Sequence, residues 1–452
     1  MNLPIAQKIP FDKPETVFAK LLAEDGTVFF DSSDNMESCG RYSFIALSPF
    51  KKIICEKDAK ENPFDILARE LQNFPMDLHE GLPPFQGGVA GYFSYDLYKF
   101  LEKVPQHKVD DLSFPVLTVG LYDLVIAFDN LNKEAWVFSS GLPESGLKQK
   151  KRSEKRINWL LEKLKNEVQG VKSVSYITDK IVANFSKEEY KKQVTKVKDY
   201  ILQGDIFEAN ISQRFKLNLP HNFSHYDLYN KLRKINPAPF SAYLKFKDTI
   251  ILSASPERFL KLENNQVETR PIKGTIKRSK DLDEDKKLAD ELLKSEKDHA
   301  ENVMIVDLMR NDISRVCKPH SVNVPKLCGL ESYATVHHLV SVVKGELYED
   351  KSAIDLLKAC FPGGSITGAP KVRAMEIIAK VEPTRRGPYC GSIGYIGFDG
   401  NMDTSIVIRT YCIKDNVLTF QAGGAIVLDS DPEMEYEETL IKAGALKNAL
   451  IN

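Results

Sequence analysis

Short apolar runs separated by turn-forming residues dominate the first 145 residues. Residues 26–32 and 41–47 are rich in β-branched and aromatic side chains, and each run ends at serine, proline or aspartate. Two further apolar runs, 116–128 and 134–139, flank a short polar break. Apolar runs bounded by turn residues predict strands, and we interpret the last two as one strand pair. This part of the chain is therefore predicted to be mainly β.

A composition change at residues 144–170 marks the end of the β-rich part. The stretch is rich in lysine and glutamate, and its apolar residues recur at helical spacing, as Ile157, Leu160 and Leu164 do. This pattern predicts a surface helix. The basic run 148–155 at its start is typical of a solvated helix face, and less often of a nucleic-acid-binding patch.

Beyond residue 185, predicted strands and helices are mixed. Ser186 and Glu189 have the spacing of a helix-capping box, and residues 263–266 separate two apolar runs as a hairpin turn does. Further strands are predicted at 206–217 and 242–252, and helices at about 283–311, 351–360, 370–381 and 432–450. We therefore divide the chain into an N-terminal lobe (1–145), a helical linker region (146–185) and a C-terminal domain (186–452).

The overall composition argues against several classes of protein. The 452 residues carry 62 Lys and Arg against 63 Asp and Glu, so no global positive charge would attract nucleic acid or an anionic membrane. No apolar run approaches the length of a membrane helix, about 18 residues, and the first residues lack the apolar core of a signal peptide. Seven scattered cysteines without a Cys-x-x-Cys motif are typical of reduced thiols, so we expect a cytoplasmic protein.

Two predicted helices carry carboxylates that share a helix face. Asp298 and Glu301 are three residues apart, and Glu435, Glu438 and Lys442 form one stripe on the last helix. Taken alone, each set is also explained by solvated acids paired with a nearby lysine. If the two helices meet, the converging acids suit Mg²⁺, which usually takes one or two protein carboxylates and keeps waters.

Three further segments carry candidate chemistry. Lys273 lies between Ile and Gly at a predicted strand end, and it is either an exposed lysine or a nucleophile whose pKa is depressed by burial or by nearby cations. Glu257 is a candidate acid or a partner of Arg258. The glycine-rich runs 361–371 and 421–425 are predicted loops that either offer backbone N–H groups to an anion or serve tight packing.

Taken together, these segments resemble component I of the chorismate-utilising enzymes, and within that family most closely the aminodeoxychorismate synthases. The resemblance covers nearly the whole chain and is densest at 271–275, 298–312, 338–341, 363–373, 402–410 and 429–442. It implies an α+β fold with two large, mainly antiparallel sheets packed as a sandwich and helices outside. It also implies that residues 186–452 form the chorismate-binding catalytic domain.

The resemblance implies a magnesium site on the two acidic helices. Mg²⁺ would lie between Glu301 and Glu438 and receive the C1 carboxylate of chorismate. Asp298 and Glu435 would contact the metal through water or lie behind the two direct ligands.

The resemblance also implies contacts to the rest of the substrate. Arg409 and Tyr389 would hold the enolpyruvyl carboxylate. The remaining implied contacts are the ring pocket and the groups that orient the anionic ligand: Ser365, Thr275 and His338, and Lys442 with the backbone of Gly423 and Gly424.

Lysine at position 273 resembles the aminodeoxychorismate enzymes, since anthranilate and salicylate relatives typically have alanine there. The implied mechanism is covalent. Lys273 attacks C2 of the ring as the C4 hydroxyl leaves with Glu257 as general acid, and ammonia then adds at C4 and expels the lysine. The product would be 4-amino-4-deoxychorismate, a precursor of p-aminobenzoate and folate.

The chain shows no amidotransferase motif, so the ammonia is expected from a separate glutaminase subunit in a heterodimer. Two alternatives stay open. One is anthranilate synthase component I, and the other is a non-catalytic chorismate-binding subunit.

Three positions depart from the family's pattern. Glu208 stands where many relatives have Gln and the water-adding enzymes have Lys, which argues against isochorismate formation. Ala425 follows two glycines in place of the frequent Gly-Ala-Gly. Asp31 replaces the Glu usual in the tryptophan-binding segment of feedback-regulated anthranilate synthases, so we do not predict inhibition by tryptophan.

Overall fold

Two large β-sheets form the centre of the protein. The computed structural model describes residues 3–33, 39–105, 109–166, 180–333 and 336–451. Within these ranges, the strands form one sheet of 12 strands and one of 10, and neighbouring strands in both sheets run antiparallel. The strands are β1 (Ile5–Ile9), β2 (Thr27–Asp31), β3 (Tyr42–Ala46), β4 (Lys51–Cys55), β5 (Gly88–Phe93), β6 (Leu117–Tyr122), β7 (Leu124–Asp129), β8 (Glu134–Ser139), β9 (Val182–Ala183), β10 (Glu208–Asn218), β11 (Phe240–Phe246), β12 (Thr249–Ser255), β13 (Arg258–Glu263), β14 (Gln266–Thr269), β15 (Ile272–Lys277), β16 (Asn323–Ser332), β17 (Val336–Glu346), β18 (Gly368–Ala369), β19 (Ser392–Gly397), β20 (Met402–Ile406), β21 (Thr410–Lys414) and β22 (Val417–Ile426).

Helices cover the outer faces of the sheets. They are α1 (Pro14–Ala19), α2 (Pro63–Gln72), α3 (Gly146–Lys165), α4 (Lys187–Leu202), α5 (His225–Ile235), α6 (Leu282–Lys294), α7 (Glu296–Ser314), α8 (Ala353–Cys360), α9 (Lys371–Val381) and α10 (Pro432–Ile451), with short 3₁₀ helices at Tyr95–Phe100 and Gly364–Ile366. None of the described helices combines the length and apolar character that crossing a membrane requires.

The two sheets pack face to face through an aromatic-rich core. Phe44 and Val125 of the larger sheet lie in one buried cluster with Tyr92 and Tyr395 of the smaller sheet. Separate clusters bury the opposite faces against helices, as Leu446 of α10 does on the larger sheet. The predicted α+β sandwich with helices outside is therefore confirmed.

Each sheet joins strands from distant parts of the chain. The larger sheet has the order β1-β8-β7-β3-β2-β11-β12-β21-β22-β10-β18, with β9 beside β10. The smaller has the order β15-β17-β14-β13-β20-β19-β5-β6-β4, with β16 beside β17. Pairing of β2 with β11, and of β5 with β19, thus connects residues on both sides of position 145. The division at residues 145 and 185 stays a prediction.

Three predicted elements were wrong because each one is interrupted. The run 116–128 is two strands, β6 and β7, which lie in different sheets and are separated by Asp123. The Asp123 carboxylate is buried and pairs with Arg152 and Arg156 of α3, so a charged residue with distant partners ends the strand. The run 242–252 is the hairpin β11–β12, and the helix predicted at 283–311 is divided at Ser295, the N-cap of α7.

Other local predictions agree with the structure. Ser186 and Glu189 form the predicted capping box at the start of α4. The hairpin β13–β14 turns at Asn264 and Asn265, whose φ angles of 51° and 62° are left-handed, a conformation that asparagine tolerates. The basic run 148–155 of α3 is only partly solvated, since Arg152 within it pairs with the buried Asp123.

Candidate active site

A cavity of about 430 Å³ lies where β10 and β22 of the larger sheet approach β15 and β17 of the smaller one, beside α7 and α10. All of the predicted site residues line it except Gly424 and Glu435. Those that do are Glu257, Thr275, Lys273, Asp298, Glu301, His338, Ser365, Tyr389, Arg409, Gly423, Glu438 and Lys442. The chain thus gathers residues from nine separate segments into one pocket, which no single motif contains.

Lys273 reaches the cavity from a distorted part of β15. The register between β15 and β17 shifts between Lys273 and Thr275, on either side of Gly274. Gly274 has a left-handed φ of 76°, and a Cβ there would lie 3.0 Å from Cβ of Asp298. Glycine is therefore required at this position both by the backbone and by the close approach of α7. Lys273 is only 9% exposed, so its interpretation as an ordinary surface lysine was wrong.

The amine of Lys273 is held by carboxylates. Nζ donates a hydrogen bond to Oε1 of Glu208 at 2.9 Å and lies 3.9 Å from Oε2 of Glu301. Burial opposes the charged form of Lys273, but these two carboxylates outweigh it and raise the pKa of the amine. The expectation of a depressed pKa was wrong, because Arg270 pairs with Glu331 instead of approaching the amine.

Glu257 is a buried acid that lines the same cavity as the acids of α7. Its Oε1 accepts a hydrogen bond of 2.7 Å from Oγ of Ser365, and burial raises the pKa of Glu257 to about 7. The alternative that Glu257 pairs with Arg258 was wrong, since the Arg258 guanidinium binds Asp403 and Glu268 on the other side of β13. Near neutral pH, Glu257 is therefore a group that can hold and release a proton.

The acidic residues of α7 and α10 meet at one edge of the cavity. Lys297 Nζ lies 4.0 Å from Oε1 of Glu301 and 3.8 Å from Oε1 of Glu435, so one exposed ammonium links the two helices. Burial raises the pKa of Glu301 to about 7, whereas Lys442 and Lys297 outweigh burial at Glu438 and lower the pKa of that carboxyl. The sequence offered a lysine as a partner for Glu301, and Lys297 has that role.

Two glycines allow β22 to pass beneath these acids. Gly423 and Gly424 lie inside β22, so the loop predicted at 421–425 was wrong. A Cβ at Gly424 would lie 3.1 Å from Oε2 of Glu435 and 3.3 Å from Oε1 of Glu438. Lys442 pairs with Glu438 and donates a hydrogen bond to the carbonyl oxygen of Gly423 at 3.0 Å. The missing side chain of Gly424 thus leaves room for these two carboxylates, and Gly424 itself does not line the cavity.

These groups fit a divalent cation that also binds a ligand. Among the described residues, no three His, Cys, Asp or Glu side chains are arranged to hold a metal ion by themselves. Mg²⁺ needs only one or two protein carboxylates when substrate and water complete its shell. Oε2 of Glu435 is buried without a hydrogen-bond partner, which leaves acceptor capacity beside Glu438. Glu301 and Glu438 are therefore suitable direct ligands, with Glu435 behind them.

Arg409 and Tyr389 also line the cavity. Arg409 is a non-glycine residue with a left-handed φ of 53°, a strained conformation that is common at binding sites. Its Nη1 donates a hydrogen bond to the carbonyl oxygen of Lys442 at 2.7 Å. Elsewhere in the cavity, Nδ1 of His338 and Oγ1 of Thr275 are 2.8 Å apart, and burial lowers the pKa of His338 to about 4. His338 is thus a neutral group at physiological pH.

Arg386 supports the site from behind, and sequence reasoning missed it. This fully buried guanidinium pairs with Glu382 and donates hydrogen bonds to the carbonyl oxygens of Ile366 at 2.8 Å and Asn210 at 2.6 Å. It thereby ties the glycine-rich segment that carries Ser365 to β10. That segment meets the cavity through Ser365 and Ile366 and not through the N-terminus of α9.

A second cavity, of about 360 Å³, lies between the sheets. It is next to Asp31, in the segment that resembles the tryptophan-binding segment of anthranilate synthases. Phe30 and Ser32 line it, as does Arg258, the chain neighbour of Glu257. The carboxylate of Asp31 is engaged by Arg233 at 2.7 Å and by the Tyr229 hydroxyl at 3.0 Å. Asp31 is therefore a buried carboxylate held by two residues of α5.

Comparisons with known proteins agree with this geometry. The family model described as chorismate binding enzyme matches residues 26–448. The chain is 42% identical to aminodeoxychorismate synthase component 1 of Klebsiella aerogenes over 97% of both proteins. It is 39% identical to anthranilate synthase component 1 of Aquifex aeolicus, over 97% of this chain and 92% of that protein. The crystal structure of anthranilate synthase component I from Streptococcus pneumoniae superposes with a TM-score of 0.81 at 33% identity, covering 91% of this chain and 92% of that one.

The family model matches nearly the whole chain, and several of the matched relatives are at least 39% identical over most of its length. The chain therefore belongs to the family of chorismate-binding enzymes.

Proposed function

We propose that this chorismate-utilising enzyme is an aminodeoxychorismate synthase component I. The observation that carries the proposal is the buried amine of Lys273, which lines the same cavity as Glu257 and Glu301. The overall identities do not decide the question, because relatives named for either product match at 39% and 42%. The residue that distinguishes the two activities in the family is present here as lysine.

The protein groups divide the work of the reaction. Arg409 and Tyr389 bind the enolpyruvyl carboxylate, and His338 with Thr275 contacts the ring. When bound at Glu301 and Glu438, Mg²⁺ would orient the ring carboxylate and withdraw charge from it.

The covalent step requires two proton movements. Lys273 loses a proton, for which Glu208 is the hydrogen-bonded neighbour, and Nζ then attacks C2 of the ring. Glu257 donates its proton to the C4 hydroxyl, which leaves as water. Ammonia adds at C4 and expels the lysine, so the enzyme regains its amine. Ammonia would come from a separate glutaminase subunit, in keeping with the component 1 names of the relatives.

One assay tests the proposed function. The chain is incubated with chorismate, Mg²⁺ and ammonium, and the product is identified by mass spectrometry. We expect 4-amino-4-deoxychorismate, and no product from Lys273→Met under the same conditions. Anthranilate fluorescence without an added lyase would favour the second candidate, anthranilate synthase component I, to which the chain is almost equally similar. Failure of the folded protein to consume chorismate would favour a non-catalytic binding subunit.

Loss of one magnesium ligand is expected to weaken metal binding. Glu438→Gln should lower the affinity for Mg²⁺ in the presence of chorismate by at least about tenfold, because a neutral amide replaces an anionic ligand. Isothermal titration calorimetry measures the change. Glu437→Gln is the matched control, since Glu437 is the neighbouring residue of α10 but its side chain reaches Lys187. Equal affinities in the two variants would remove Glu438 from the metal site.

A further inference from the structure

A fully buried carboxylate on β10 contacts the proposed nucleophile. Glu208 pairs with Ala369 of β18, which fixes its backbone within the larger sheet. Its Oε1 binds Nζ of Lys273 at 2.9 Å, and its Oε2 is buried without a hydrogen-bond partner. The charge of Glu208 is therefore balanced by the ammonium of Lys273.

Lys273 has a second carboxylate within reach. Its Nζ lies 3.9 Å from Oε2 of Glu301, farther than from Glu208 but close enough for a small rotation of the flexible side chain to form a direct ion pair. Glu301 is one of the two proposed magnesium ligands. An ammonium bound directly to Glu301 would neutralise that ligand and occupy space beside the metal.

We propose that Glu208 is a positioning residue that holds the Lys273 ammonium away from Glu301 and so keeps Glu301 available to the metal. A carboxylate is a stronger anchor for an ammonium than a neutral amide, because the hydrogen bond is assisted by charge on both partners. The inference rests on the proposed function in taking Glu301 as a metal ligand and Lys273 as the group that must be kept from it.

The test measures binding of Mn²⁺ alone to the full chain, from the electron paramagnetic resonance signal of the free ion. Glu208→Ala is expected to weaken Mn²⁺ binding by about tenfold, since the released ammonium competes at Glu301. Glu208→Gln, which keeps a hydrogen-bond acceptor, should fall between this variant and the unchanged protein. Removing the competitor in the double variant Glu208→Ala/Lys273→Met should restore the original affinity.

The double variant separates positioning from general damage. If Glu208 were needed only for folding, loss of the second buried group would not restore metal binding. Glu70→Gln is the control, because it removes the carboxylate of another lysine pair, with Lys51 at 2.7 Å, and should leave the affinity unchanged. An unchanged or tighter affinity in Glu208→Ala, or a double variant as weak as Glu208→Ala, would overturn the proposal. Product identity does not enter this measurement, so anthranilate in the product assay would contradict the proposed function alone.

Discussion

Replacing Lys273 by alanine is expected to slow formation of 4-amino-4-deoxychorismate by about a thousandfold or more, the scale of loss typical for a removed nucleophile. Chorismate should still bind, because the groups proposed to hold its carboxylates, Arg409 and the magnesium ligands, are untouched. Steady-state kinetics with ammonium and calorimetry with chorismate measure the two quantities separately. Intact-protein mass spectrometry without ammonium should show an adduct of chorismate less one water on the unchanged enzyme and none on the variant.

A control at the same strand makes this result specific. Lys277→Ala removes an exposed lysine of β15 and should leave both turnover and the adduct unchanged. Since Lys273→Ala leaves Glu208 buried without its cation, a thermal melting curve must show that the variant is folded at the assay temperature. Normal turnover by the folded variant would exclude the covalent step.

Replacing Glu257 by glutamine is expected to lower kcat by about a hundredfold to ten-thousandfold, the usual contribution of a general acid. The amide keeps the shape of the side chain and can still accept the Ser365 hydrogen bond, but it carries no transferable proton. The variant should therefore bind chorismate normally. Ser365→Ala, which removes the hydrogen bond and keeps the acid, should have a smaller effect.

The same variant should change the pH dependence of kcat/KM at saturating Mg²⁺ and a fixed concentration of free ammonia. The pKa of Lys273 is raised, so the reactive amine form grows as the pH rises throughout the neutral range. The pKa of Glu257 is about 7, so above that pH the loss of the acid form cancels this gain. The unchanged enzyme should thus show a rise that levels off near pH 7, whereas in Glu257→Gln the rise should continue. A plateau retained in the variant would assign that ionisation to another group.

The sequence predicted the location of most strands, but not where a run of apolar residues is interrupted. A single strand was predicted across Asp123, because the partners of this residue, Arg152 and Arg156, lie about 30 residues farther along the chain. A local pattern cannot reveal such a partner. Nor does periodicity contain the pairing of β5 with β19, which sets the architecture of the smaller sheet.

The residues of the site were also easier to identify than their electrostatic environment. Arg270 is close to Lys273 in the sequence, but in the structure it forms an ion pair with Glu331. The carboxylate that binds the amine of Lys273 belongs to Glu208, which lies 65 residues upstream. Likewise, the sequence did not reveal that the missing side chain of Gly424 makes room for Glu435 and Glu438. Both features depend on contacts between segments that only the folded chain brings together.

The shared sheets impose an order on biosynthesis. During synthesis, β2 cannot pair with β11, nor β5 with β19, until the later strand has left the ribosome. Strand β19 begins only at Ser392. Until then, both early strands present apolar faces and unpaired backbone edges to the surroundings, a condition that favours aggregation. Nascent chains stalled before β19 should therefore depend on chaperones, and shortened gene products that end before it should accumulate as inclusion bodies.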